Sequence, residues 1–347
     1  RRKSLTKLNP PKNPSYAATV VRVKAIHPLT GSDNLVGLSF FGYQAVVSKD
    51  VRDGDLGVLF SAEVQLSEAY TEVNNLYRHP ELNADKAQRG YLEDSRRVRA
   101  IKLRGHRSDA LFMPLSSLAY TGDVGDLRVG DEFDELNGTE ICRKYVVRLP
   151  GAGRTALSDR KLTRADTRVF PEQPDVENYF KRVGDLSPDA VVVVTQKLHG
   201  TNIRVGNVPV RRELSLLERV ARWLGARVQE TEHAMVYGSH HVIKDANVSS
   251  QRHFYDSDIW TQAGKRLDGL VPEGYVVYGE LVGWAGKKPI QPGYTYACAP
   301  GTNRVYVYRV ATVNKRGVAA DLSWEAVKRF CVDRGLDHVA ELYSGPL

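Results

Sequence analysis

Lys197 stands at the end of the run Val191-Val192-Val193-Val194-Thr195-Gln196 and is followed by Leu198, His199, Gly200, Thr201 and Asn202. Four β-branched residues in a row read as a fully buried strand. Burial and neighbouring cations lower the pKa of an amine and make it a nucleophile. The competing reading is an edge lysine that reaches out to solvent. Gly200 lets the backbone approach a ligand closely. Two later apolar strands supply partners: Gly274 to Gly283 contains Glu280, and Val305 to Val310 contains Tyr308. A lysine nucleophile, a carboxylate for a metal or a ribose hydroxyl, and an aromatic face for a base make a coherent nucleotide site. No Gly-x-x-x-x-Gly-Lys-Ser/Thr loop occurs in the sequence, so a P-loop ATPase is not supported. His240 and His241 follow the short strand Met235 to Tyr237; alternation along a strand points them opposite ways, a poor metal pair.

The 347 residues suffice for two domains, with 42% hydrophobic residues and a mean hydropathy of -0.37. No apolar run is long enough for a transmembrane helix, and no apolar signal core follows Arg1-Arg2-Lys3. Cys142, Cys298 and Cys331 form neither a disulfide framework nor a zinc pattern, which suits a reducing cytoplasm. The net charge of +8 favours a polyanionic partner, although charge alone does not separate nucleic acid from a membrane surface.

Residues 1–15, basic and proline-containing, read as a flexible arm. Residues 16–148 carry several short strands, glycine turns and a polar, helical excursion from Ser67 to Tyr91, the pattern of a small closed barrel such as an OB-fold. Within it Lys102, Arg104, His106 and Arg107 cluster and are suited to a phosphate backbone or to a solvated rim. Residues 149–169 read as a basic connector. Residues 170–347 form the second domain, opening with a helix over Glu177 to Val183. An amphipathic helix spans Leu214 to Val228, its apolar stripe (Leu217, Val220, Ala221, Leu224) serving ordinary packing. A closing helix runs from Trp324 to Arg334, ended by Gly335. The fold class is α+β: an OB-type barrel followed by a domain of antiparallel sheets with helices.

Lys197-Leu198-His199-Gly200-Thr201-Asn202 resembles motif I of the covalent nucleotidyltransferases, in the form seen in the nick-sealing branch of ATP-dependent RNA ligases. Tyr278-Gly279-Glu280-Leu281-Val282-Gly283 resembles motif III, and Val305-Tyr306-Val307-Tyr308-Arg309-Val310 resembles motif IIIa. The N-terminal barrel, with Leu103-Arg104-Gly105, is similar to the OB module of the Deinococcus-type RNA ligases. The resemblance implies that Lys197 attacks the α-phosphate of ATP, that AMP passes to an RNA 5′-phosphate, and that a 3′-hydroxyl displaces it to seal the strand, with Mg2+ or Mn2+. It implies that Glu280 holds ribose or metal-bound water, and that Asn202 orients the phosphate or hydrated metal. His199 would lie near the phosphates; Gln196 and Leu198 would present backbone groups to adenine, Thr195 would border the nucleotide, and Tyr308 would stack on adenine. The implied partner is an RNA or RNA-containing duplex with a 5′-phosphate end, the implied state a monomer and the implied role RNA repair.

Gln196 stands where relatives often carry Glu, and Arg309 where Asp is common. Ser239-His240, Arg211 and Arg212 are all candidates for the basic residue that contacts phosphate after motif I. Motifs IV and V should follow the final segment and Leu347 precedes both, so the sequence is either a fragment or a protein that has lost full activity, and weak or absent self-adenylylation is expected of residues 1–347. Another nucleotidyltransferase (a DNA ligase or a capping guanylyltransferase) and a non-catalytic OB-type nucleic-acid-binding protein are the competing readings.

Overall fold

The computed structural model describes residues 6–146, 165–244, 255 and 257–347. The chain divides into two compact units, one built from the described residues of Arg1–Val147 with Val176–Leu186, the other from the described residues of Arg148–Asp175 with Ser187–Leu347. Val176–Leu186 thus packs with the first unit, where Lys181 pairs with Glu132 at 2.9 Å. Of the expected connector 149–169, residues 149–164 lie outside the described residues.

In the first unit Ala18–Arg22 lies between Glu132–Phe133 and Leu56–Ser61, and Leu56–Ser61 pairs in turn with Ala110–Pro114, all antiparallel. Ile26–Pro28, Leu35–Phe40 and Tyr43–Ser48 form a separate three-stranded sheet. Among the described residues the ladders do not join into a ring, so strand pairing does not give the closed barrel that the strand count suggested. Phe60, Tyr70, Leu118 and Phe133 are fully buried in the larger core. The excursion after Ser67 is α-helical only over Glu68–Val73, with a single 3-10 turn at Pro80–Leu82. Beyond it the buried Asn83 side chain takes over, accepting from Tyr77 N–H and donating to the Tyr77 and Gln88 carbonyls, so a local polar hub replaces helical repeats. Residues expected in a flexible arm are tied down: Lys7 and Lys12 donate backbone N–H groups to Asn137 and Asp134.

The second unit is organised on a sheet whose three central strands each run eleven residues, Thr201–Arg211, Tyr275–Ala285 and Asn303–Val313. Thr201–Arg211 pairs antiparallel with Thr231–Gly238 on one side and Tyr275–Ala285 on the other, and Asn303–Val313 continues the sheet. One core holds Ile203, Val205, Val277, Leu281 and Val307 with Trp260 of helix Ile259–Lys265 and Phe330 of helix Trp324–Arg334. That last helix starts on the Ser323 hydroxyl and stops where Gly335 enters the left-handed region, as its sequence signals require. Phe170, Val208, Val236, Val276 and Tyr278 form another core.

Two expectations about apolar residues fail here. Among the described residues the valine strand Val191–Thr195 pairs only with Glu341–Pro346, and Val191, Val193 and Val194 are 74%, 41% and 46% exposed. Its β-branched residues set the extended conformation, but nothing described covers them. The amphipathic helix forms over Leu216–Trp223, started by a reciprocal capping box between Ser215 and Glu218. Its apolar residues do not pack: Leu217, Val220, Trp223 and Leu224 all face solvent.

Candidate active site

The Lys197 turn is positioned from both ends. Upstream, the valine strand is carried on Glu341–Pro346, and Gln196 N–H donates to the Ala340 carbonyl at 2.8 Å. That engages one of the Gln196 backbone groups expected to face the adenine. Leu198 is buried at 8% exposure against Val282 and Val339, an apolar anchor of roughly 1.5–3 kcal/mol if fully withdrawn from water. Lys197 itself is exposed. The ammonium is therefore not withdrawn from water by the described residues, because the strand that delivers it lies on a ribbon rather than in a core.

Gly200 lies so close to the next strand that a Cβ would sit 2.2 Å from the Leu281 carbonyl oxygen. The glycine is needed for a close approach to the protein's own backbone, where a ligand had been expected. Its N–H donates to Glu280 Oε1 at 2.9 Å. Asn202 pairs directly across from Glu280, and Glu280 across from Tyr306. Asn202 Nδ2 donates to the Tyr308 hydroxyl at 2.5 Å, while its Oδ1 is buried without a hydrogen-bond partner among the described residues. Burial raises the Glu280 carboxyl to about 7, against the pull of the Gly200 N–H and the Lys197 charge. Burial raises the Tyr308 phenol to about 12, opposed chiefly by its bond from Asn202. The structure thus brings together Lys197, Gly200, Asn202, Glu280 and Tyr308.

Other expected residues fall differently. His199 is exposed; its N–H donates to the Tyr296 hydroxyl at 2.7 Å and its ring meets Tyr294 edge-on at 4.9 Å. Thr195 closes the valine strand, where the register shifts. Ser239 accepts Arg204 Nε through its carbonyl, and His240 Nε2 lies 3.0 Å from the Gln173 carbonyl. His240 and His241 follow the strand in a turn and their rings stack at 4.0 Å, so they do not point opposite ways. No cluster of three or more His, Cys, Asp or Glu suited to a metal exists among the described residues. Arg211 ends the strand that begins at Thr201, placing it about 30 Å along from Asn202. Arg212 is held by Glu218. Neither is placed to meet a nucleotide at Lys197. In the first unit Lys102 pairs across from Arg107 on the hairpin Ile101–Leu103/His106–Ser108, with Arg104 at its turn. Arg107 is paired with Asp109, and His106 Nε2 lies 2.8 Å from the Thr30 carbonyl.

Sequence reasoning missed Arg204, which is fully buried two residues beyond Asn202, donating to the Phe170 and Ser239 carbonyls and lying 4.7 Å over the Phe170 ring. In the same row Arg309 covers the Tyr278 ring at 4.4 Å and donates to Gln173. The signal was available: alternation places Arg204 on the face of Asn202.

Residues 190–347 match the family model of the RNA ligases. That match covers the C-terminal part of the chain and makes it similar to an RNA ligase domain. Among solved structures, a Naegleria gruberi RNA ligase variant with ATP and Mn is 18% identical, with 96% of this chain and 85% of that one covered at a TM-score of 0.53. A second variant with ATP and Mn is 18% identical over 95% and 84% at 0.56, and the ligase with PPi is 19% identical over 95% and 84% at 0.54. At this identity the likeness establishes the fold, which extends over both units of the chain. No curated protein matches the sequence. The matched segment takes in the valine strand, the Lys197 turn, all three eleven-residue strands and the closing helix.

Proposed function

We propose that this protein is an ATP-dependent RNA ligase that joins 3′-hydroxyl and 5′-phosphate ends in RNA repair, acting as a cytoplasmic monomer on nicked RNA or RNA-containing duplex. The observation that carries this reading is the fastening of the Lys197 turn to Glu280, opposite Asn202, inside a domain that matches the RNA ligases. The solved ligases of similar fold are described with ATP, AMP and Mn.

Lys197 Nζ attacks the α-phosphorus of ATP, forming a P–N bond as the bond to pyrophosphate breaks. AMP then moves from Lys197 to the RNA 5′-phosphate, and the 3′-hydroxyl oxygen attacks that phosphate with AMP leaving. Little covalent work falls to other side chains; positioning and charge neutralisation dominate. Leu198 and Gly200 hold the turn, Tyr308 offers its ring to adenine, and Thr195, Gln196, His199, Ser239 and His240 border the nucleotide.

The buried Asn202 Oδ1 without a partner and the Glu280 carboxyl raised by burial both fit a hydrated divalent cation, which takes oxygen ligands and keeps several waters. Bound there, Mg2+ or Mn2+ would neutralise phosphate charge and favour the unprotonated lysine. Asn202 and Glu280 would hold it.

In the first unit, the OB-type reading supplies nucleic-acid binding through Lys102, Arg104 and Arg107, which share one hairpin. The test is to incubate full-length protein with α-labelled ATP and Mg2+ and map the labelled residue. Label on Lys197, with no labelling from GTP and sealing that fails when the 3′-terminal ribose is replaced by deoxyribose, is expected. Label on another residue, or equal labelling from GTP, would sink the mechanism.

A further inference from the structure

The segment between strands Tyr275–Ala285 and Asn303–Val313 first turns back on the sheet. After Lys288–Pro289 pairs back on Trp284–Ala285, Ile290 is buried and donates its N–H to the Gly283 carbonyl. The chain then folds over the Lys197 turn. Gln291 Nε2 donates to the Gly200 carbonyl at 3.2 Å, and the Tyr296 hydroxyl accepts the His199 N–H at 2.7 Å. Trp284 Nε1 pins the far end through the Cys298 carbonyl. Tyr296 and Ala297 both adopt left-handed backbone, at φ 49° and 56°. For side-chain-bearing residues this conformation persists only where the surroundings enforce it.

These bonds use backbone atoms of His199 and Gly200 and leave two rings over. Tyr294 is 50% exposed and meets the exposed His199 ring at 87°, with Tyr296 behind it at 6.4 Å. The rings form an open aromatic corner two residues from Lys197, on a loop held at both ends. Tyr308, the ring offered to adenine, is half-buried and fixed by Asn202. The corner therefore remains for a second planar group. In the proposed reaction the RNA 5′-phosphate must come to the AMP on Lys197. The base of that same nucleotide is the one brought beside the turn.

We propose that Tyr294 and His199 form a nucleobase-stacking subsite for the RNA nucleotide that carries the 5′-phosphate. The proposal rests on the RNA ligase reading and adds to it the residues that grip the acceptor end. Stacking on an aromatic side chain tolerates any base, because each has a π-face. The subsite therefore holds the end without reading its sequence.

The test is a comparison of binding by full-length protein to a nicked RNA duplex whose 5′-phosphorylated nucleotide is intact or abasic. The natural protein is expected to bind the abasic duplex about tenfold more weakly, within the range found for single base–aromatic stacks. Tyr294→Ala should bind both duplexes equally, and Tyr294→Phe should restore the preference. An unchanged preference in Tyr294→Ala, or no preference in the natural protein, would overturn the subsite. Mapping of AMP onto Lys197 in the same preparation reports separately on the enzyme reading. Label without a base preference removes the subsite alone; a preference without label supports the subsite and removes the catalytic assignment.

Discussion

The Gly200 N–H donates to Glu280 Oε1 across the pairing of Asn202 with Glu280, so the Lys197 turn is fixed to the central strand through the carboxylate beside it. The burial of that carboxylate opposes its charge, against the pull of this bond. Burial raises the Glu280 carboxyl from 4.5 to about 7. Between those values the folded chain holds more protons than the unfolded one, so this group's contribution to stability falls as pH rises through that window. Glu280→Gln keeps the bond to Gly200 and removes the charge. At pH 8 it should unfold later in urea than the natural protein, by at most about 3 kcal/mol, and at pH 4 the two should coincide. Transfer of AMP to Lys197 should be lost at every pH.

Gly200→Ala examines the close approach of the turn to the Leu281 carbonyl. The neighbour is backbone and cannot swing aside, so the turn must move. Overpacking of this kind costs about 1–3 kcal/mol. A lower urea midpoint is expected together with a slower rate of Lys197 labelling. Unchanged stability would show that the turn moves clear of the Leu281 carbonyl without cost.

The same structure shows how far local pattern carries. That Lys197, Glu280 and Tyr308 lie near one another was legible because each follows or sits in an apolar strand, and strand alternation fixes which side chains share a face. The cover over a strand is not local. Four valines specify an extended chain, yet whether they are buried depends on what packs above them, and Val191 and Val194 face solvent. The grip of Tyr296 on His199 spans 97 positions. No short window contains both partners, so the aromatic corner was invisible in sequence. Arg204 was hidden by a different prejudice, since arginine is rarely fully buried. Here the Phe170 and Ser239 carbonyls make it possible.

The helix Leu216–Trp223 is held by its own capping box and makes no core of its apolar face. Trp223, at 83% exposure, has little packing to lose. Trp223→Ser should shift the unfolding free energy by no more than about 0.5 kcal/mol, the usual range for surface changes. A loss of 2 kcal/mol or more would mean that the helix is packed in solution.

Substitutions at Asn202 test the proposed cation site apart from folding. Its Nδ2 supports Tyr308 and its Oδ1 is buried without a partner, directly across from Glu280. Asn202→Ala removes both roles. It should cost about 1 kcal/mol through the lost hydrogen bond and reduce the rise in Tm that MnCl2 produces in the natural protein. Asn202→Asp instead places a second carboxyl opposite the first. Above pH 7, where Glu280 ionises, two like charges then face each other across one strand pair, and the variant should be less stable than the natural protein without metal. Added Mn2+ should restore it, with a larger rise in Tm than in the natural protein, because a cation between two carboxylates relieves their repulsion as well as binding them. Equal Mn2+ responses in Asn202→Ala, Asn202→Asp and the natural protein would place the cation away from the Asn202–Glu280 pair.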